Sequence, residues 1–111
     1  MIEKVVLDYL ESKLQVGCYM EVPNSNEPTF IVIEKVGSTD EDGIWGATIA
    51  VQSYASTLYR AASLNEQVKE AMQDITTLDE VSNCELNSDY NFTDTQSKQY
   101  RYQAVFNLIH Y

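Results

Sequence analysis

The hydrophobic period of the chain changes at Ser56. Ahead of it, Phe30 to Val36 and Ile44 to Ala55 are dense in β-branched and aromatic residues. Within the second run Trp45, Ala47, Ile49 and Val51 alternate, the period-two pattern of a half-buried strand. Beyond Ser56, from Thr57 to Ile75, the residues Ala61, Leu64, Val68, Ala71, Met72 and Ile75 form one stripe at steps of three and four. Glu66, Gln67, Glu70, Gln73 and Asp74 lie opposite, which is the pattern of an amphipathic helix. Ser56 is placed to cap that helix, and the poor helix formers Thr76 and Thr77 mark its end. One chain therefore has to pack a sheet and a helix against a shared core.

The flanking segments extend the pattern. Ile2, Val5, Val6, Tyr9 and Leu10 recur at helical steps, which predicts a first helix running to about Val16-Gly17. A polar loop, "EVPNSNEPT", follows it. The acidic, glycine-bounded "GSTDEDG" between the two β-rich runs reads as a solvated hairpin turn. Two more strands, about Val81 to Asp94 and Lys98 to His110, close the chain. Facing their apolar positions gives the pairs Cys84 with Leu108, Leu86 with Phe106, Tyr90 with Tyr102 and Phe92 with Tyr100. Asp94 then meets Lys98 across a turn at Thr95-Gln96-Ser97. The expected fold is α+β: a four-stranded antiparallel sheet with two helices on one face, in the order helix-strand-strand-helix-strand-strand, ending in a long hairpin.

Length supports a single domain, residues 1–111, with a modest core. Strands of eleven residues reach about 36 Å, whereas a nineteen-residue helix covers about 28 Å. The final hairpin is thus expected to overhang, with Leu86, Phe106 and Leu108 beneath the helices. Tyr90, Phe92, Tyr100 and Tyr102 would project with Arg101 as an aromatic arm.

Charge narrows the function. Seventeen acidic residues against seven basic ones give a net charge of −10, which repels nucleic acid and anionic membranes. The N-terminus carries acids from its third residue and no long apolar run, so neither a signal peptide nor a membrane span is expected. Cys18 and Cys84 are far apart with no metal-ligand spacing around them and read as ordinary thiols. His110 is the one histidine, with no cysteine near it in sequence. "STDEDG" lacks the length and terminal glutamate of a calcium loop. Four scattered glycines make no phosphate loop. No catalytic, cofactor-binding or metal-binding residue is expected, and the protein is expected not to be an enzyme. The candidate site is a protein interface at Tyr90, Phe92, Tyr100, Arg101 and Tyr102, residue types enriched in interface cores. The alternative for these tyrosines is mutual packing on a solvated hairpin.

The run "VQSYASTLYRAASLNEQVKEAM" and the later "DYNFTDTQSKQYRYQAVFNLIHY" resemble the small tail-terminator, or tail-to-head joining, proteins of long-tailed phages and prophages. That resemblance implies an α+β fold, a hexameric ring that ends the tail tube, and two further partners: the tail tube protein and a head-completion or neck protein. It also implies a place in the virion, and in the host cytoplasm during assembly. Six copies would carry a charge of about −60, which would keep a DNA-conducting lumen from holding phosphates. Other readings are a sibling neck or minor capsid protein of the head-tail connector, an acidic DNA mimic that inhibits a host enzyme, and a small-ligand-binding or cyclase-like domain.

Overall fold

The computed structural model describes residues 1–111. Helix α1 spans Ile2–Leu14, strand β1 Cys18–Tyr19, β2 Phe30–Glu41, β3 Ile44–Ala55, helix α2 Leu58–Gln73, β4 Val81–Asn91 and β5 Tyr100–His110. The class is α+β, as expected. The sheet, however, has five strands in the order β1-β2-β3-β5-β4, and it is mixed, because β1 runs parallel to β2. The expected four-stranded antiparallel sheet is corrected by this two-residue strand. Gln15 takes a left-handed conformation at the end of α1, and the chain turns so that the carbonyl of Gly17 accepts from Ile31 N–H at 2.9 Å. Two residues are too few to carry an alternation signal.

Both helices lie on one face of the sheet. Val6, Leu10, Leu64, Val68, Met72 and Ile75 from the helical side meet Ile31, Ile33, Ile49, Val51, Phe106 and Leu108 in one buried cluster. Tyr9 ties the helices together by donating its hydroxyl to the Ala71 carbonyl at 2.7 Å. The cap of α2 is Thr57, whose hydroxyl accepts from Arg60 N–H at 3.1 Å, and not Ser56. After Gln73 the chain tightens into a 3₁₀ turn, Ile75–Thr77, that buries Ile75.

The β2–β3 hairpin is longer than the sequence suggests. Only Asp42 and Gly43 form its turn, at φ 53° and 80°, the two left-handed positions of a tight hairpin turn, which an Asp-Gly pair tolerates. Ser38 to Glu41, read as part of a loop, are strand residues paired with Ala47 to Ile44. Every residue from Glu34 to Trp45 is exposed, and past Lys35, which reaches Glu3 of α1, this hairpin runs beyond the helix layer. The molecule is correspondingly elongated, 44 × 25 × 24 Å.

The C-terminal hairpin keeps half of its expected register. Cys84 faces Leu108 and Leu86 faces Phe106, as expected. Between Leu86 and Ser88 the register shifts at a bulge, after which Tyr90 faces Gln103 and Asn91 faces Tyr102. The expected pairs Tyr90 with Tyr102 and Phe92 with Tyr100 do not form, and Asp94 bridges Gln99 rather than Lys98. An extra residue reverses the side-chain alternation of a strand, and here the reversal turns Asp89 toward α2. Its carboxylate accepts from Asn65 Nδ2 and from Lys69 Nζ, each at 3.3 Å. Leu86, expected under the helices, is 48% exposed, because β4 is the edge strand.

Candidate functional site

The reversal at the bulge divides the five candidate residues between two faces. Tyr100 and Tyr102 keep the alternation of Ala104, Phe106 and Leu108 and stand on the helix side, where Tyr100 borders a groove with Leu58 of α2. Tyr90, Phe92 and Arg101 stand on the opposite face, which carries no helix. The single aromatic arm is therefore corrected: its members sit at one end of the sheet, two on one face and three on the other, and Tyr100 at the strand end also borders a groove with Phe30 and Tyr54.

On the helix-free face these three join residues that the sequence did not single out. Tyr19 of β1 meets the Phe30 ring edge-on at 6.4 Å, and Phe30 stacks on Tyr54 at 4.5 Å with the planes 15° apart. Arg101 then bridges the middle of the sheet. Its guanidinium carbon lies 5.6 Å from the Tyr54 ring centroid and 4.4 Å from that of Phe92, and Tyr90 meets Phe92 edge-on at 5.9 Å. One aromatic strip thus crosses all five strands at right angles to them. Opposite-edge ring contacts and a cation over a ring face are each favourable arrangements of the aromatic quadrupole.

A polar ladder runs along the strip. Arg101 Nη1 donates to the Tyr54 hydroxyl at 2.9 Å, which donates to Gln52 Oε1 at 3.2 Å. Gln52 Nε2 donates to Gln103 Oε1 at 2.8 Å, and Gln103 Nε2 donates to the Tyr90 hydroxyl. Arg101 Nε also donates to the Phe92 carbonyl at 2.7 Å. Gln52 and Tyr54 are buried although no element covers them, because their neighbours on the strip do. The signal that could have found this strip is the recurrence of an aromatic or amide at the outward positions of strand ends, visible only once the strand order is known.

Both ends of the sheet expose apolar groups. At the hairpin end, Ile44, Trp45, Ile109 and Tyr111 are exposed and border a groove of about 510 Å³ with His110 and Ser82. At the other end, Leu58, Tyr59 and Phe92 are exposed beside the β4–β5 turn. That turn is set by Asp94, which accepts from Gln96 N–H at 3.1 Å. Hydrogen bonds from the Ser97 side chain and the Gln96 backbone hold the Asp94 carboxyl below the usual carboxylate range.

The remaining reactive groups are placed as follows. Both cysteines are free thiols. Burial, with Glu11 adding to it, pushes Cys18 up to about 12, and burial with Glu85 pushes Cys84 up to about 11. Neither is a thiolate at neutral pH. His110 is the last residue of β5, between Trp45 and Val81. No three His, Cys, Asp or Glu side chains converge as metal ligands would. No helix is long and apolar enough to cross a membrane. Comparison with known proteins assigns no family: no family model matches the chain, and no curated protein matches it.

Proposed function

We propose that this chain is a structural, ring-forming subunit of a phage or prophage virion that ends the tail tube and joins tail to head. The observation that carries the reading is the sheet outgrowing its helices. It leaves a bare face crossed by an aromatic strip, and apolar side chains exposed at both of its ends. Phe30 and Tyr54 within the strip are buried, whereas the apolar side chains at the two ends are exposed, and exposed apolar area of this kind marks protein contacts. The resemblance of residues 51–72 and 89–111 to tail-terminator proteins supplies the particular role. It makes the ring a hexamer, with the tail tube protein and a neck protein as its partners, assembled in the host cytoplasm.

The test is complementation of a phage lacking this chain, read by electron microscopy of its tails and by native mass spectrometry of the purified protein. Restored joining of heads to tails of uniform length, with hexamers on the tail tip, is expected. His110→Ala, Cys18→Ala and Cys84→Ala are expected to complement as long as they fold. A folded chain that neither self-associates nor binds purified tail tubes would refute the reading.

A further inference from the structure

The two ends of the sheet carry unlike charge. At the hairpin end, the segments 36–46, 79–82 and 109–111 contain Asp40, Glu41, Asp42, Asp79 and Glu80 and no lysine or arginine. β3 begins at this end, with Ile44 opposite Glu41, and finishes at the other, with Ala55 opposite Tyr100. The tip of the hairpin and the β4–β5 turn thus mark opposite ends of the 44 Å axis.

The basic residues are distributed to match. Of the seven, Lys4 pairs with Asp8 at 2.6 Å, Lys35 with Glu3 at 3.8 Å, and Lys69 with Glu66 and Asp89 at 2.8 and 3.3 Å. Lys13 lies over the Tyr9 ring. The three that remain, Arg60, Lys98 and Arg101, have no ion pair and all stand at the turn end. Two acids stand with them, Asp94 in the turn and Glu27, which accepts the Tyr19 hydroxyl, so this end sets three cations against two acids where the hairpin end has acids alone. Lys98 itself is presented by a left-handed backbone, φ 54°, on the rim shared by two grooves.

Each end therefore offers what the other lacks: apolar Ile44, Trp45 and Tyr111 inside an acidic rim, against apolar Leu58, Tyr59 and Phe92 beside Arg60 and Lys98. Two hairpin ends, with five acids each, would repel one another, whereas a hairpin end and a turn end attract. We infer that the occupant of the hairpin end is a second copy of this chain, bound through its turn end, so that copies join head to tail. Contacts of this heterologous kind propagate, closing into a ring when the rotation between copies allows it. The inference deepens the ring-forming reading and rests on it only in requiring self-association.

Two charge-reversed proteins test it by sedimentation velocity at low salt, up to about millimolar concentration. One carries Asp40→Lys, Glu41→Lys and Asp79→Lys, which turns the five acids of the hairpin end into a net positive end, and the other carries Arg60→Glu with Lys98→Glu, which makes the turn end negative. Both alter exposed side chains, and circular dichroism checks that each is folded. Wild type should form species larger than dimers. Each variant alone should associate at least about tenfold more weakly, because its two ends now carry like charge. An equimolar mixture should recover association to within about threefold of wild type, since each variant then meets its complement.

If the hairpin variant assembles like wild type, the contact joins turn ends. If the turn variant does, it joins hairpin ends. Either result overturns the inference, as does a wild type that stays monomeric throughout or a mixture that fails to recover. The virion role is read separately: tails completed by both variants singly would remove this contact and spare that role, whereas recovery in the mixture with no tail completion by wild type would do the reverse.

Discussion

Replacing Arg101 by alanine measures how much of the helix-free face is held by one side chain. The guanidinium donates two hydrogen bonds, at 2.7 Å to the Phe92 carbonyl and 2.9 Å to the Tyr54 hydroxyl, and lies 4.4 Å from the Phe92 ring centroid. Hydrogen bonds from a charged donor contribute up to about 3 kcal/mol when fully buried, and about 1 kcal/mol each is appropriate for this half-buried side chain. A cation over a partly exposed ring adds about 0.5–1 kcal/mol. Arg101→Ala should therefore cost about 2–3 kcal/mol, which in a domain of this size lowers Tm by about 8–12 °C. Urea unfolding followed by circular dichroism gives the free energy directly. Arg101→Lys should recover less than half of the loss, because an ammonium cannot donate to both acceptors while covering the ring. A cycle with Phe92→Leu should leave a coupling of about 0.5–1 kcal/mol. If Arg101→Ala unfolds at the wild-type urea concentration, the strip is not a unit and the side chain is free for a partner.

Three further outcomes are expected. A Cβ added at Gly46 would stand 2.6 Å from Thr39 Oγ1 across the β2–β3 pair, so Gly46→Ala should cost about 1 kcal/mol, and Thr39→Ala in the same chain should restore most of it by urea unfolding. Asp94 has a folded pKa below its unfolded value, so its contribution is complete above the unfolded value near 3.8 and disappears as pH falls through the folded one. An Asp94→Asn chain should accordingly lose less stability than wild type between pH 4 and the folded pKa, read from unfolding curves in acid. Both thiols are raised by burial, so iodoacetamide at about pH 8 should label the native chain at least tenfold more slowly than the chain in denaturant. Native labelling as fast as unfolded labelling would show that neither thiol is shielded by the fold.

The helices were legible because their stripes are unbroken: Ala61, Leu64, Val68, Met72 and Ile75 are all buried where the period puts them. The strand pairs Cys84 with Leu108 and Leu86 with Phe106 were legible for the same reason, since each has an apolar partner to find. The next three residues of β4, Asn87, Ser88 and Asp89, offer no apolar position, and matching aromatic to aromatic across that gap chose the wrong continuation. What decides the register there is the demand of Asp89 for Asn65 and Lys69, twenty-four and twenty residues away in sequence. The Asp42-Gly43 turn was present in the letters. The arm before it, Gly37 to Glu41, lies beyond the core and carries no apolar alternation, so it reads as loop. The strip on the helix-free face was hidden more deeply, because its members come from five strands whose order only the folded sheet defines.

The place of β5 has a consequence for how the chain acquires this sheet during synthesis. β5 lies between β3 and β4, so a strand that follows its neighbours in sequence occupies an interior lane. Until Tyr100 to His110 have left the ribosome, β3 presents a bare hydrogen-bonding edge through Ile49, Ala50 and Val51, and β4 has no strand to pair with. Bare edges of this kind invite pairing with other chains, and partly made sheets are prone to it at ordinary cellular concentrations. The β4–β5 hairpin is local in sequence, so it is expected to pair first and to dock against β3 as a unit. A chain that has emerged only as far as Gln99 therefore has both helices and four of its strands, but no closed sheet.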